Sequence, residues 1–147
     1  MDKRLLKILE KIQFDTRFIQ LYNKNKDLEE NTQIKLIDFE EALKTLDFDV
    51  TYNKREKFFK HVSHEQDYLF QLNIVFKDTF IEYIFFTQNE SIKLKAGGPF
   101  GVLVKKLDKK VKRIGNISHN SIETLNESLS TGISLFREIK QELLETK

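Results

Sequence analysis

Apolar side chains recur at helical spacing in the first part of the chain. Leu5, Ile8, Leu9, Ile12, Ile19 and Tyr22 share one face, which predicts a first helix over residues 2–23, although Asp15 interrupts the stripe. The stretch "YNKNKDLEENT" is polar and asparagine-rich, the composition of a connecting loop. Leu36, Phe39, Leu43 and Leu46 then fall on one face of a second helix. Asp38 and Glu41 have the spacing of a capping box, which would start this helix at Asp38; a start near Thr32 suits the apolar stripe better.

The period changes from helical to alternating near Val50. In "DYLFQLNIVF", Tyr68, Phe70, Leu72, Ile74 and Phe76 point to one side, and Leu69 and Val75 suggest partial cover on the other. "TFIEYIFFTQ" follows after two residues, predicting an antiparallel hairpin, with "REKFFKHVS" and "SIKLK" as flanking strands. The last segment returns to helical spacing through Ile122, Leu125, Leu129, Gly132, Phe136, Ile139 and Leu143, with Asn120 and Glu123 as its capping signal. Gly132 stands on the apolar seam, where glycine weakens a helix by about 1 kcal/mol relative to alanine. Close packing of another element over Gly132 is the expected compensation, a kink the alternative.

Between strand and final helix lies "LKAGGPFGVLVKKLDKKVKRIG", with four of the five glycines and the only proline. Its glycines do not match the dinucleotide fingerprint, and no Gly-Lys-Ser/Thr follows as a P-loop requires. A hairpin turn is possible. Phe100, Leu103, Val104, Leu107, Val111 and Ile114 favour a helix over residues 99–114, with Pro99 at its first position and Gly115 just past its end. Gly97 and Gly98 would make the sharp exit from the preceding strand. The resulting expectation is one α+β domain over residues 1–147. An antiparallel sheet of three to four strands, at about residues 50–96, packs with two N-terminal and two C-terminal helices.

Composition narrows the function classes. The 147 residues contain no cysteine, so disulfides, thiolate nucleophiles and cysteine-held metals are excluded, in keeping with a reducing cytoplasm. The first residues, "MDKRLLKILEKIQF", lack the apolar run of a signal peptide, and no stretch of about 18 apolar residues predicts a membrane helix. The net charge is only +2, yet it is unevenly spread. From Asp27 to Asp49 eight acids face two lysines, and from Lys93 to Arg113 eight bases face Asp108 alone.

Candidate chemistry is sparse. His61 and His64, three apart on a strand, would point to opposite sides, which is poor for sharing a metal. Ser118 and His119 lack an identifiable acid to complete a triad, and Glu82 reads as the exposed face of a strand. The free amides at Gly97 and Gly98 could hold an anion, with Glu82 or Tyr83 nearby. Lysines outnumber arginines 20 to 5 and lack interleaved aromatics, so nucleic acid is a disfavoured partner for the lysine-rich segment.

In layout the chain resembles the small cytosolic immunity proteins that bacteria pair with secreted toxins. The resemblance rests on the helices, the aromatic hairpin "DYLFQLNIVFKDTFIEYIFFTQ", then "GGPFGVLVKKL" opening a helix, and it carries no diagnostic motif. It implies a non-enzymatic module that binds and occludes a toxin, without cofactor or metal. Two partner surfaces are expected candidates. One is acidic, comprising Glu29, Glu30, Asp38, Glu40, Glu41, Asp47 and Asp49, and would mimic phosphates toward a basic nuclease. The other is the lysine row Lys105, Lys106, Lys109 and Lys110, facing an acidic partner. The acidic surface is preferred, because nuclease clefts are basic. Self-association into a homodimer is a third use of the opposite charges. A small-ligand site at Gly97–Gly98 is the alternative function, and an enzyme ranks third.

Overall fold

The computed structural model describes residues 1–29, 34–77, 79–112 and 114–146. The predicted first helix is two. Helix α1 (Lys3–Lys11) starts at Asp2, whose carboxylate accepts from the Arg4 and Leu5 amides. Gln13 then takes a left-handed conformation, and α2 (Phe14–Asn25) leaves in a new direction. The break lets α2 bury its own face, Phe14, Phe18 and Leu21, rather than extend the Ile19–Tyr22 stripe, which is only half-buried. Arg17 stabilises the corner by donating to the Ile12 carbonyl at 3.2 Å. Helix α3 (Leu36–Thr45) begins later than Thr32, itself outside the described residues. Asp38 is the third residue of this helix, its carboxylate accepting the Lys35 amide at 2.8 Å, so the acid caps from inside the helix rather than starting it.

The sheet is antiparallel and larger than expected. Strands β1 (Thr51–Asn53), β2 (Phe58–Glu65), β3 (Tyr68–Lys77), β4 (Phe80–Asn89) and β5 (Leu94–Pro99) lie side by side in chain order. A short β6 (Ile117–Ser118) joins β4 beyond the end of β5. Of the predicted strand "SIKLK", Ser91 and Ile92 belong instead to a 3₁₀ turn, and pairing begins at Leu94.

Gly97 and Gly98 are ladder residues opposite Phe86 and Phe85, not a strand exit. A Cβ on Gly97 would lie 2.2 Å from the Phe85 carbonyl oxygen, and its φ of +141° favours glycine as well. The turn falls one residue later, at Pro99. Helix α4 (Phe100–Leu107) follows and stops seven residues short of the predicted end. Asp108 leaves the helical conformation and its carboxylate accepts the Lys110 amide, an Asx turn that competes with helix continuation. Gly115 therefore caps nothing: its φ is not positive, and a Cβ there would meet no atom within 4 Å.

Helix α5 (Ile122–Glu145) starts at Ser121, whose hydroxyl accepts the Thr124 amide while Thr124 accepts the Ser121 amide. This reciprocal cap replaces the predicted Asn120–Glu123 pair and leaves Ile122 49% exposed, off the buried seam. The rest of the seam is buried. The ring of Tyr83 on β4 closes over Gly132, where a Cβ would come 2.3 Å from Tyr83 Cζ, and the Tyr83 hydroxyl donates to the Ser128 carbonyl at 2.8 Å. Close packing, not a kink, compensates for the glycine.

Phenylalanines join the layers. Phe100 of α4 meets Phe14 and Phe18 edge-on and stacks on Tyr83, Phe136 of α5 meets Phe85, and Phe39 of α3 lies against Phe59 and Phe76. All these contacts fall on the sheet face carrying Phe59, Leu72, Ile74, Ile81, Tyr83 and Phe85. The opposite face, with Lys60, Val62, Gln71, Asn73, Glu82, Ile84 and Phe86, is half-buried or exposed. The architecture is two-layered α+β.

Candidate functional site

The acidic residues are not one uniform patch. Glu29 and Glu41 are exposed, Glu30 lies outside the described residues, and Asp38 is committed to the Lys35 amide. Asp47 sits in the turn after α3, where Arg137 of α5 donates to the Leu46 and Asp47 carbonyls and spans the face of Phe48. Glu40 and Asp49 differ from the others, because both line one cleft.

That cleft, about 270 Å³, lies between α3 and β1. Leu43, Phe48 and Phe59 form a buried apolar floor. Val50 and Tyr52 are half-buried walls, and Glu40, Lys44 and Asp49 complete the lining. The chain enters β1 as "DFDV", an alternation that buries Phe48 and half-buries Val50 while turning Asp47 and Asp49 outward. His61 of β2 fixes this segment from beneath: its ring stacks on Phe48 at 4.1 Å, and Nδ1 lies 2.6 Å from the Asp49 carbonyl. A carbonyl only accepts, so Nδ1 carries the hydrogen. Burial lowers the His61 pKa from its ordinary value, which keeps the ring neutral at neutral pH.

Among the described residues no ion pair takes up the charge around the cleft. Among the described residues the ion pairs are Arg4–Asp2, Lys11–Glu142, Arg17–Glu138, Lys24–Glu127 and Lys140–Glu65. They involve neither the acids of the Asp27–Asp49 segment nor the lysines that follow β5.

The structure breaks up the lysine row. Lys105 and Lys106 are exposed on the last turn of α4, whereas Lys109 and Lys110 belong to the turn beyond it. No single rod presents the four ammonium groups. The glycine corner changes as well. A cleft of about 170 Å³ does open there, but its lining comprises Glu82, Pro99, Gly101, Val102, Lys105 and Asn116 among others, with neither Gly97 nor Gly98. Tyr83 borders it, yet the phenol is buried, its pKa is pushed up by burial, and its hydroxyl is engaged by Ser128. Tyr83 therefore acts as a packing group rather than a ligand contact.

The histidines divide as their spacing predicts. His61 stands opposite Leu72 on the helix-covered face, and His64 opposite Leu69 on the other. His119 is 1% exposed and meets Phe39 edge-on, with the Lys77 backbone as the polar group nearest its ring. Its position beside Ser118 serves packing, and burial lowers its pKa. Among the described residues no three His, Asp or Glu side chains are grouped to hold a metal ion, and no helix is long and apolar enough to cross a membrane.

Sequence reasoning missed Phe48, Val50, Tyr52 and His61 as parts of the acidic site. The alternation in "DFDV" was the available signal for the first two. No family model, curated protein or solved structure matches this chain.

Proposed function

We propose that the chain is a non-enzymatic protein-binding module, a cytoplasmic immunity protein that neutralises a toxin by covering its working surface with the acidic α3–β1 region. The observation that carries this reading is the pairing of Glu40 and Asp49 around an apolar cleft, with no internal cation salt-bridged to either among the described residues. Buried apolar area supplies affinity, while the net negative rim charge directs the encounter and rejects acidic partners. The lysine surface fits less well, since a short helix and a following turn share its charges.

The test is co-expression with the product of the adjacent gene. Growth should be rescued by the parent protein. Reversing Glu40 and Asp49 to lysine should weaken the complex about tenfold or more, whereas reversing Lys105 and Lys106 to glutamate should change it less than about threefold. Failure of the parent to rescue growth or bind the toxin removes the proposal. The opposite ranking of the two pairs would move the interface to the lysines.

A further inference from the structure

We infer that the α3–β1 cleft receives an arginine side chain of the bound protein. This inference rests on the protein-binding reading above and narrows it to one chemistry. A volume of about 270 Å³ is below the roughly 300–1,000 Å³ typical of clefts that enclose a whole small ligand, so it suits a single long side chain. The floor of Leu43, Phe48 and Phe59 matches an aliphatic stem, which prefers apolar contact while its charged head stays near water. In the lining, half-buried Glu40 and exposed Asp49 supply two negative charges against the one positive charge of exposed Lys44. The nearby cation Arg137 is occupied with the Leu46 and Asp47 carbonyls.

Arginine is favoured over lysine for two reasons. Its planar, weakly hydrated guanidinium can lie against the ring of Tyr52 while bonding to a carboxylate, which a compact ammonium does less well. The backbone that presents Asp49 is also fixed in advance, by His61 Nδ1 on its carbonyl and by the stacking of Phe48 on His61. Little ordering remains to oppose binding.

The probe is a capped Gly-Arg-Gly peptide titrated into ¹⁵N-labelled protein, with the lysine and norleucine peptides alongside. Saturable shifts should centre on Glu40, Leu43, Asp49, Val50 and Tyr52. Arginine should bind about threefold tighter than lysine, and norleucine about tenfold weaker than arginine. Glu40→Gln with Asp49→Asn should weaken the arginine peptide about tenfold, two partly exposed ion pairs being lost together. Circular dichroism of the double variant should match the parent.

Equal binding of norleucine and arginine would overturn the inference. So would unsaturable shifts spread over Glu29, Glu41 and Asp47. If a second copy fills the cleft instead, sedimentation will show a dimer that dissolves in both Glu40→Gln/Asp49→Asn and Lys105→Glu/Lys106→Glu, and the assignment to another protein falls. Rescue that survives Glu40→Gln/Asp49→Asn sinks the arginine inference but leaves the immunity reading intact. Saturable arginine binding without any rescue has the opposite meaning.

Discussion

Gly132 and Tyr83 form one fitted contact, in which a missing side chain on α5 makes room for a ring from β4. Adding a single methyl group there should be costly, because Cβ would overlap the ring at 2.3 Å. Gly132→Ala should lose about 3 kcal/mol or more in chemical denaturation, despite alanine's better helix propensity. Tyr83→Phe removes only the bond to the Ser128 carbonyl and should lose about 1 kcal/mol. A Gly132→Ala variant as stable as the parent would show that α5 is free to lift from the sheet.

His61 and His119 both make folding stability depend on pH. Burial lowers both pKa values, so the folded protein binds protons more weakly than the unfolded chain. Stability should be complete above about pH 6.5 and fall as acid protonates the unfolded chain, by at most about 1.4 kcal/mol per pH unit at His119. Around His119 the identified neighbours are the Phe39 ring, the Lys77 backbone, which partly offsets the effect of burial, and the Thr79 carbonyl, which accepts the His119 amide. His119→Phe should flatten the loss between pH 6.5 and 5, measured as denaturation midpoints; an unchanged slope would remove His119 from this account.

At the scale of elements, the end of α4 divides the local pattern from the observed turn. Val111 is half-buried and Ile114 buried, so both still pack against the core although the helix ends before them. A turn at Asp108 brings the same side chains inward and releases the chain toward β6, which must reach Ile81 on β4. Because Gly115 no longer caps a helix, Gly115→Ala should change stability by less than about 0.5 kcal/mol in thermal or chemical unfolding. A loss near 1 kcal/mol or above would restore a special backbone role for that glycine. The split between α1 and α2 has a similar origin. Phe14, Phe18 and Leu21 also stand at helical spacing, and their priority over Ile19 and Tyr22 comes from Phe100, about 80 residues away, against which Phe14 and Phe18 pack.

For the whole molecule, Glu40 and Asp49 share one cleft and take part in none of the ion pairs among the described residues. If the proposed complex forms through it, association should slow on the order of tenfold between low and physiological salt, with dissociation little changed. Stopped-flow mixing would measure both rates. A salt-independent association rate would argue for a contact that does not use Glu40 and Asp49 as steering charges.

The α+β class, the long β3–β4 hairpin, the final helix and the anomaly of Gly132 on its apolar seam are all legible in the chain alone. Each follows from a short-range rule: a period of two or 3.6, or the absence of a Cβ in a helix. Tertiary structure decided what distant groups compete for. It chose Tyr83 as the ring above Gly132, broke the first helix at Gln13, and joined β6 to β4 beyond the end of α4. It also sorted the six described acids of the predicted surface, leaving Asp38 on a backbone amide and bringing Glu40 and Asp49 to the same cleft. Charge type is written residue by residue, but whether a carboxylate is occupied or available depends on which side chains the packed core carries to its side.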